Sequence, residues 1–98
     1  MTALLDRITM LIDASERDPE RIERTLTDGY AHALSLEGER LQLERRLKEL
    51  ARELGTGDAR ATNDELSSVA ERLDGNAGDL DRLRSALAEL RRHARTVR

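Results

Sequence analysis

The chain has no cysteine, tryptophan or phenylalanine, one proline and a single aromatic residue, Tyr30. Without cysteine there are no disulfides, no thiolate metal ligands and no thiol nucleophile. The redox compartment is left open. Without aromatics, leucine and alanine must build the core. Such a core is thin and aliphatic, as in coiled coils and helical hairpins. No apolar run approaches the roughly 20 residues needed to cross a bilayer. The opening MTALLDRITMLID is too acidic and too interrupted for a secretory signal, so the cytoplasm is the expected compartment and no membrane contact is expected. A basic field is lacking as well. The net charge is -3, which argues against a general affinity for nucleic acid. Lysine is nearly absent: sixteen of the seventeen basic residues are arginine and only Lys48 is lysine. We read this as the codon bias of a GC-rich bacterial genome rather than as a functional signal.

What is present is charge and periodic leucine. Charged residues make up 38% of the chain, against about 25% in an average domain. The leucines recur at helical spacing, which separates this sequence from a disordered one. From Thr2 to about Ser15, the residues Leu4, Leu5, Ile8, Leu11 and Ile12 make one apolar face. SERDPE then breaks the pattern. Asp18 before Pro19 is a strong start signal, with a carboxylate N-cap and proline at the first helical position. The second helix is expected over 19–54, with the seam Ile22, Leu26, Gly29, Ala33, Leu36, Arg40, Leu43, Leu47, Leu50 and Leu54 stepping by four and three. Tyr30, Leu34 and Leu41 lie beside that seam and widen the apolar surface. The widening implies that another helix covers it, and the small Gly29 and Ala33 allow close approach there. Gly55 stands where a C-terminal cap is expected, and GTGDARA is the main loop. Thr62 and Glu65 form a T-x-x-E capping box that opens a third helix over 62–97. Its seam is Leu66, Val69, Leu73, Asn76, Leu80, Leu83, Leu87, Leu90, Ala94 and Val97, with Asn76 the one misfit.

LDGNAGDL at 73–80 raises a conflict. Two interior glycines cost roughly 2 kcal/mol against alanine, which favours a turn at 74–78 and a bundle of four shorter helices. The heptad phase survives the stretch, however. The two long segments are also equal, each about 54 Å at 1.5 Å per residue, which suits an antiparallel hairpin. Folded so that facing residue numbers sum to 116, the seams match. Arg40, the charged seam position of one helix, then faces Asn76, the polar position of the other. We therefore expect continuity, with Arg40 and Asn76 as a polar core layer that fixes register at a cost in stability. Asp74, Asp79 or Glu44 would help neutralise Arg40. The expected fold is all-α: a single domain built on a long antiparallel hairpin, with a short N-terminal helix packed on one end. The loop at 13–18 folds that helix back beside residues 19–34, where Tyr30 and Leu34 cover Leu4, Leu5 and Ile8. The two-helix end has little core of its own, so a homo-oligomer, a dimer first, is expected.

No catalytic or metal site is expected, and no cofactor. His32 and His93 lie about 13 Å apart along the axis in this register, too far to share a metal, and read as surface residues. The many carboxylates stand at helical spacing beside arginines and read as solvated faces. No E-x-x-H pair of a di-iron bundle occurs. GTGDAR follows no strand and is not a phosphate loop. Arg91, Arg92, Arg95 and Arg98 form a basic C-terminus. Cations are favoured at a helix C-terminus in any case, and no aromatic interleaves them for base stacking. The chain is therefore expected to be a non-enzymatic interaction protein. It would be an adaptor, chaperone or regulator that binds another protein through Tyr30, Leu34 and Leu41. Two alternatives stand beside it. One is a nucleic-acid accessory protein docking anions on Arg91, Arg92, Arg95 and Arg98, which a gel shift at low salt tests. The other is a bundle sensing a small anion or nucleotide at the Arg40–Asn76 layer, which thermal shift tests.

Overall fold

Asp18 does cap the second helix. Its extended backbone (φ -76°, ψ 109°) turns the carboxylate onto the Glu20 N–H at 3.0 Å, with Pro19 at the first helical position. From there helix α2 runs Pro19–Glu53. Before it lies α1, Thr2–Asp13, and after it α3, Ala59–Thr96. The computed structural model describes residues 1–97. Among these, the three helices are the only regular elements. α2 and α3 pack along each other as the antiparallel hairpin, and α1 lies across one end and touches both. The molecule measures 60 × 17 × 16 Å with a radius of gyration of 18.5 Å. A compact chain of this length would have about 13 Å, so this is a rod.

α3 is continuous through LDGNAGDL. Gly75 has no neighbour within 4 Å of where a Cβ would stand, and Gly78 meets only the tip of Arg82. Both glycines therefore face outward. The Asn76 side chain between them turns inward and is buried.

The boundaries differ from the sequence expectation in physically clear ways. α3 begins at Ala59 rather than at Thr62. Gly57 takes a positive φ of 80°, which frees Asp58 to cap the N–H groups of Arg60 and Ala61 at 3.0 and 3.3 Å. The helix formers between Asp58 and Thr62 join the helix as a result. The capping box does not form. Thr62 is buried and donates its hydroxyl to the Asp58 carbonyl at 3.1 Å. Gly57, not Gly55, is the glycine in the left-handed region. α1 stops at Asp13 in a Schellman-type end: Ser15 N–H donates to Ile12 and Glu16 N–H to Leu11.

The core comes in two pieces. At the three-helix end, Ile8, Ile22, Ala33, Leu36, Leu80, Leu83, Leu87 and Leu90 are buried together, flanked by Leu4, Leu5, Leu11 and Ile12 of α1. At the two-helix end, Leu43, Leu50 and Val69 are buried, with Leu47, Leu66 and Leu73 beside them. Asn76 lies in the gap between the two. Gly29 makes the close approach expected of it, but to α3 rather than α1. A Cβ there would stand 2.3 Å from Leu87 Cδ2.

Candidate interaction surface

Polar contacts mark the flank on which α1 lies. Arg7 donates to the Thr25 hydroxyl at 3.1 Å and to Asp28 at 3.0 Å. Thr25 is buried, so this pair staples α1 to one side of α2. Tyr30, Leu34 and Leu41 stand on the other side, since each residue turns the helix by about 100°. They are 45%, 70% and 60% exposed. The expectation that Tyr30 and Leu34 cover the α1 leucines is therefore not met. Leu4, Leu5 and Ile8 pack into the hairpin core instead. The widened apolar surface of α2 stays open to solvent.

Beside this strip runs a shallow open groove of about 440 Å³, walled on α2 by Tyr30, Leu34 and Glu37 and on α3 by Arg84, Ala88 and Arg91. Arg84 is ion-paired with Glu37 across it. Arg91 and Arg95 lie one turn apart and are exposed. Neither has an ion-pair partner among the described residues. Arg92, exposed as well, is turned about 100° from Arg91 and about 60° from Arg95, so the three lie on one side of the helix end. Arg98 lies outside the described residues.

Arg40 and Asn76 do not make a layer. Asn76 is 5% exposed and donates Nδ2 to the Leu36 carbonyl at 2.9 Å. Its Oδ1 is buried without a hydrogen-bond partner. Arg40 leaves the seam and donates Nε to Glu44 at 3.1 Å, both side chains being nearly half exposed. The reason is solvation. A guanidinium facing one amide in a thin core would lose water without a counter-charge, and its long stem lets the head reach solvent. The Arg40–Asn76 pair therefore offers no pocket for an anion.

On the opposite flank Arg46 ties the two long helices together. It reaches Glu65 of α3 at 2.8 Å and Glu49 of its own helix at 3.1 Å, with Glu53 at 3.7 Å. The Glu65 hydrogen bond, and after it that of Glu49, raises the guanidinium pKa above its already high ordinary value. Its charge is fixed and internally matched. The two histidines stay apart. His93 is not a plain surface residue: it is half-buried and its Nε2 lies 2.7 Å from the Glu16 carbonyl. A carbonyl only accepts, so Nε2 carries the proton. This bond ties the end of α3 to the α1–α2 loop. Among the described residues no cluster of His, Asp or Glu has metal-ligand geometry.

Sequence reasoning missed Arg7, Thr25, Glu16 and the Arg46–Glu65 bridge. Each joins residues at least 18 positions apart, and nothing in local periodicity marks them. Among the described residues no helix is long and apolar enough to cross a membrane. Compared with known proteins, the chain matches no family model, no curated protein and no solved structure.

Proposed function

We propose that this chain is a non-enzymatic protein-binding module, an adaptor, chaperone or regulator working in the cytoplasm, whose working surface is the outer face of α2. One observation carries this reading. Three large apolar side chains, Tyr30, Leu34 and Leu41, stand exposed in a line while the hairpin core closes without them. A single exposed leucine is ordinary. Three in a line on one long helix, beside an open groove, make the kind of apolar patch by which proteins meet. An amphipathic helix laid along such a face is a common mode of recognition.

A photo-crosslinking residue at Leu34, compared with one at Ser68 on the opposite flank, tests the reading in the native host. Adducts specific to position 34 are the expected result. Equal labelling from both positions, or none from position 34, rejects it.

A further inference from the structure

We propose that the occupant of the α2 face is a second copy of this chain, laid antiparallel so that α2 packs on α2 about a two-fold axis near residue 36. The proposal rests on the protein-binding reading above and names the partner. Following the exposed face of α2 by steps of three and four gives Glu20, Glu23, Thr27, Tyr30, Leu34, Glu37, Leu41, Arg45, Lys48 and Arg52. The order is acidic, apolar, basic. All but the half-buried Glu37 are exposed, and Glu37 is already matched by Arg84. Glu20, Glu23, Arg45, Lys48 and Arg52 have no ion-pair partner among the described residues.

A face ordered this way is complementary to its own reverse. When facing residue numbers sum to 71 or 72, Tyr30 meets Leu41 of the second copy, Glu23 meets Lys48 and Glu20 meets Arg52. Leu34 then meets Glu37 and Gly38 of the second copy, with Glu37 ion-paired to Arg84. Arg45 meets Thr27, and the matched pairs Glu23–Lys48 and Glu20–Arg52 flank the apolar strip over about 48 Å of helix. Such an isologous contact uses the same patch twice and closes on itself.

A competing explanation is the helix dipole, which favours acid at the N-terminus and base at the C-terminus. Its effect fades within the first and last turns. It accounts for Glu20 and Arg52 but not for Glu23 or Lys48, which face each other in this register. Gly38 is a second, independent sign. It is exposed in mid-helix, and no side chain approaches within 4 Å of where its Cβ would be. Glycine weakens a helix interior, and nothing within the monomer requires it here. In the proposed register Gly38 faces Leu34 of the second copy, where the missing side chain gives that leucine room.

Sedimentation velocity on the purified full chain, from about 1 µM to about 1 mM, tests the proposal. A concentration-dependent dimer is expected. Leu34→Asp should weaken it by about tenfold or more with helix content unchanged, because Leu34 takes no part in the hairpin core. Glu23→Lys and Lys48→Glu should each weaken it by about fivefold, and the double variant should restore it. Register is tested by disulfides. The chain has no cysteine, and Tyr30→Cys with Leu41→Cys in one chain lie too far apart to bridge internally, about 16 Å. The double variant should form a covalent dimer and neither single variant should. A monomer at every concentration, self-linking of Tyr30→Cys alone, or a dimer indifferent to Leu34→Asp overturns the proposal. If the chain is a monomer but position 34 still crosslinks specifically to another protein in the host, the second copy is rejected and the protein-binding reading stands. If position 34 labels nothing, both fall.

Discussion

Ser15 is the described non-glycine residue with a positive φ, at 52°. It sits just past the end of α1, where the Schellman end requires the left-handed region. That conformation costs a non-glycine residue about 1–2 kcal/mol, and glycine is the usual occupant. Ser15→Gly is therefore expected to raise stability by about 1 kcal/mol, read as the shift in urea midpoint at unchanged slope. Gly29 has the opposite demand. Its missing Cβ is filled by Leu87, which is 3% exposed and held in the core. Gly29→Ala gains helix propensity but forces Leu87 aside, and a net loss of about 1–3 kcal/mol is expected. Asn76 carries a cost of its own. Its Nδ2 bond to Leu36 leaves Oδ1 buried and unpaired, and the Leu36 carbonyl remains a normal helical acceptor without it. Asn76→Leu removes the orphan with the same number of side-chain heavy atoms and would join the two core pieces. Stabilisation by about 1–3 kcal/mol is expected, and a fall in the urea midpoint would show that the amide holds more than it costs.

At the scale of the element, α3 is a helix that its sequence disfavours at one place. Gly75 and Gly78 face solvent with room for a methyl group. Alanine at either should therefore stabilise by about 1 kcal/mol and by about 2 kcal/mol together, measured by thermal unfolding. If 74–78 were a turn, the double variant would destabilise. The continuity of α3 was legible because heptad phase outlasts a local break signal, and the start of α2 because Asp18 and Pro19 act locally. Arg40 was placed wrongly because a helical wheel locates a Cβ, not the end of a long side chain. Its guanidinium goes where water and Glu44 are. The flank taken by α1 was also beyond periodicity. Either side of α2 offers apolar surface, and on the side that α1 takes, Arg7 meets Thr25 and Asp28, which lie far from it in the sequence. Tyr30, Leu34 and Leu41 were found by pattern, but their exposure follows from that choice of flank.

Over the whole molecule, the divided core makes the rod unequal from end to end. Eight apolar residues are buried at the three-helix end and three at the two-helix end. Local opening follows buried apolar contact, so the loop end should open first. The Arg46–Glu65 bridge opposes this only weakly, since both side chains are substantially exposed. Asn76 and its outward glycines stand where the cores divide, and opening that starts at the 54–58 loop should run down both helices until it reaches them. Native-state hydrogen exchange tests this directly. Amides around Leu50 and Val69 should exchange through a sub-global opening of lower free energy than those around Ile22, Leu83 and Leu90, which should require global unfolding. Gly75→Ala with Gly78→Ala should slow exchange at the loop end by strengthening the helix at that boundary. Uniform protection along α2 and α3 would mean that the two pieces act as one cooperative core despite the polar gap.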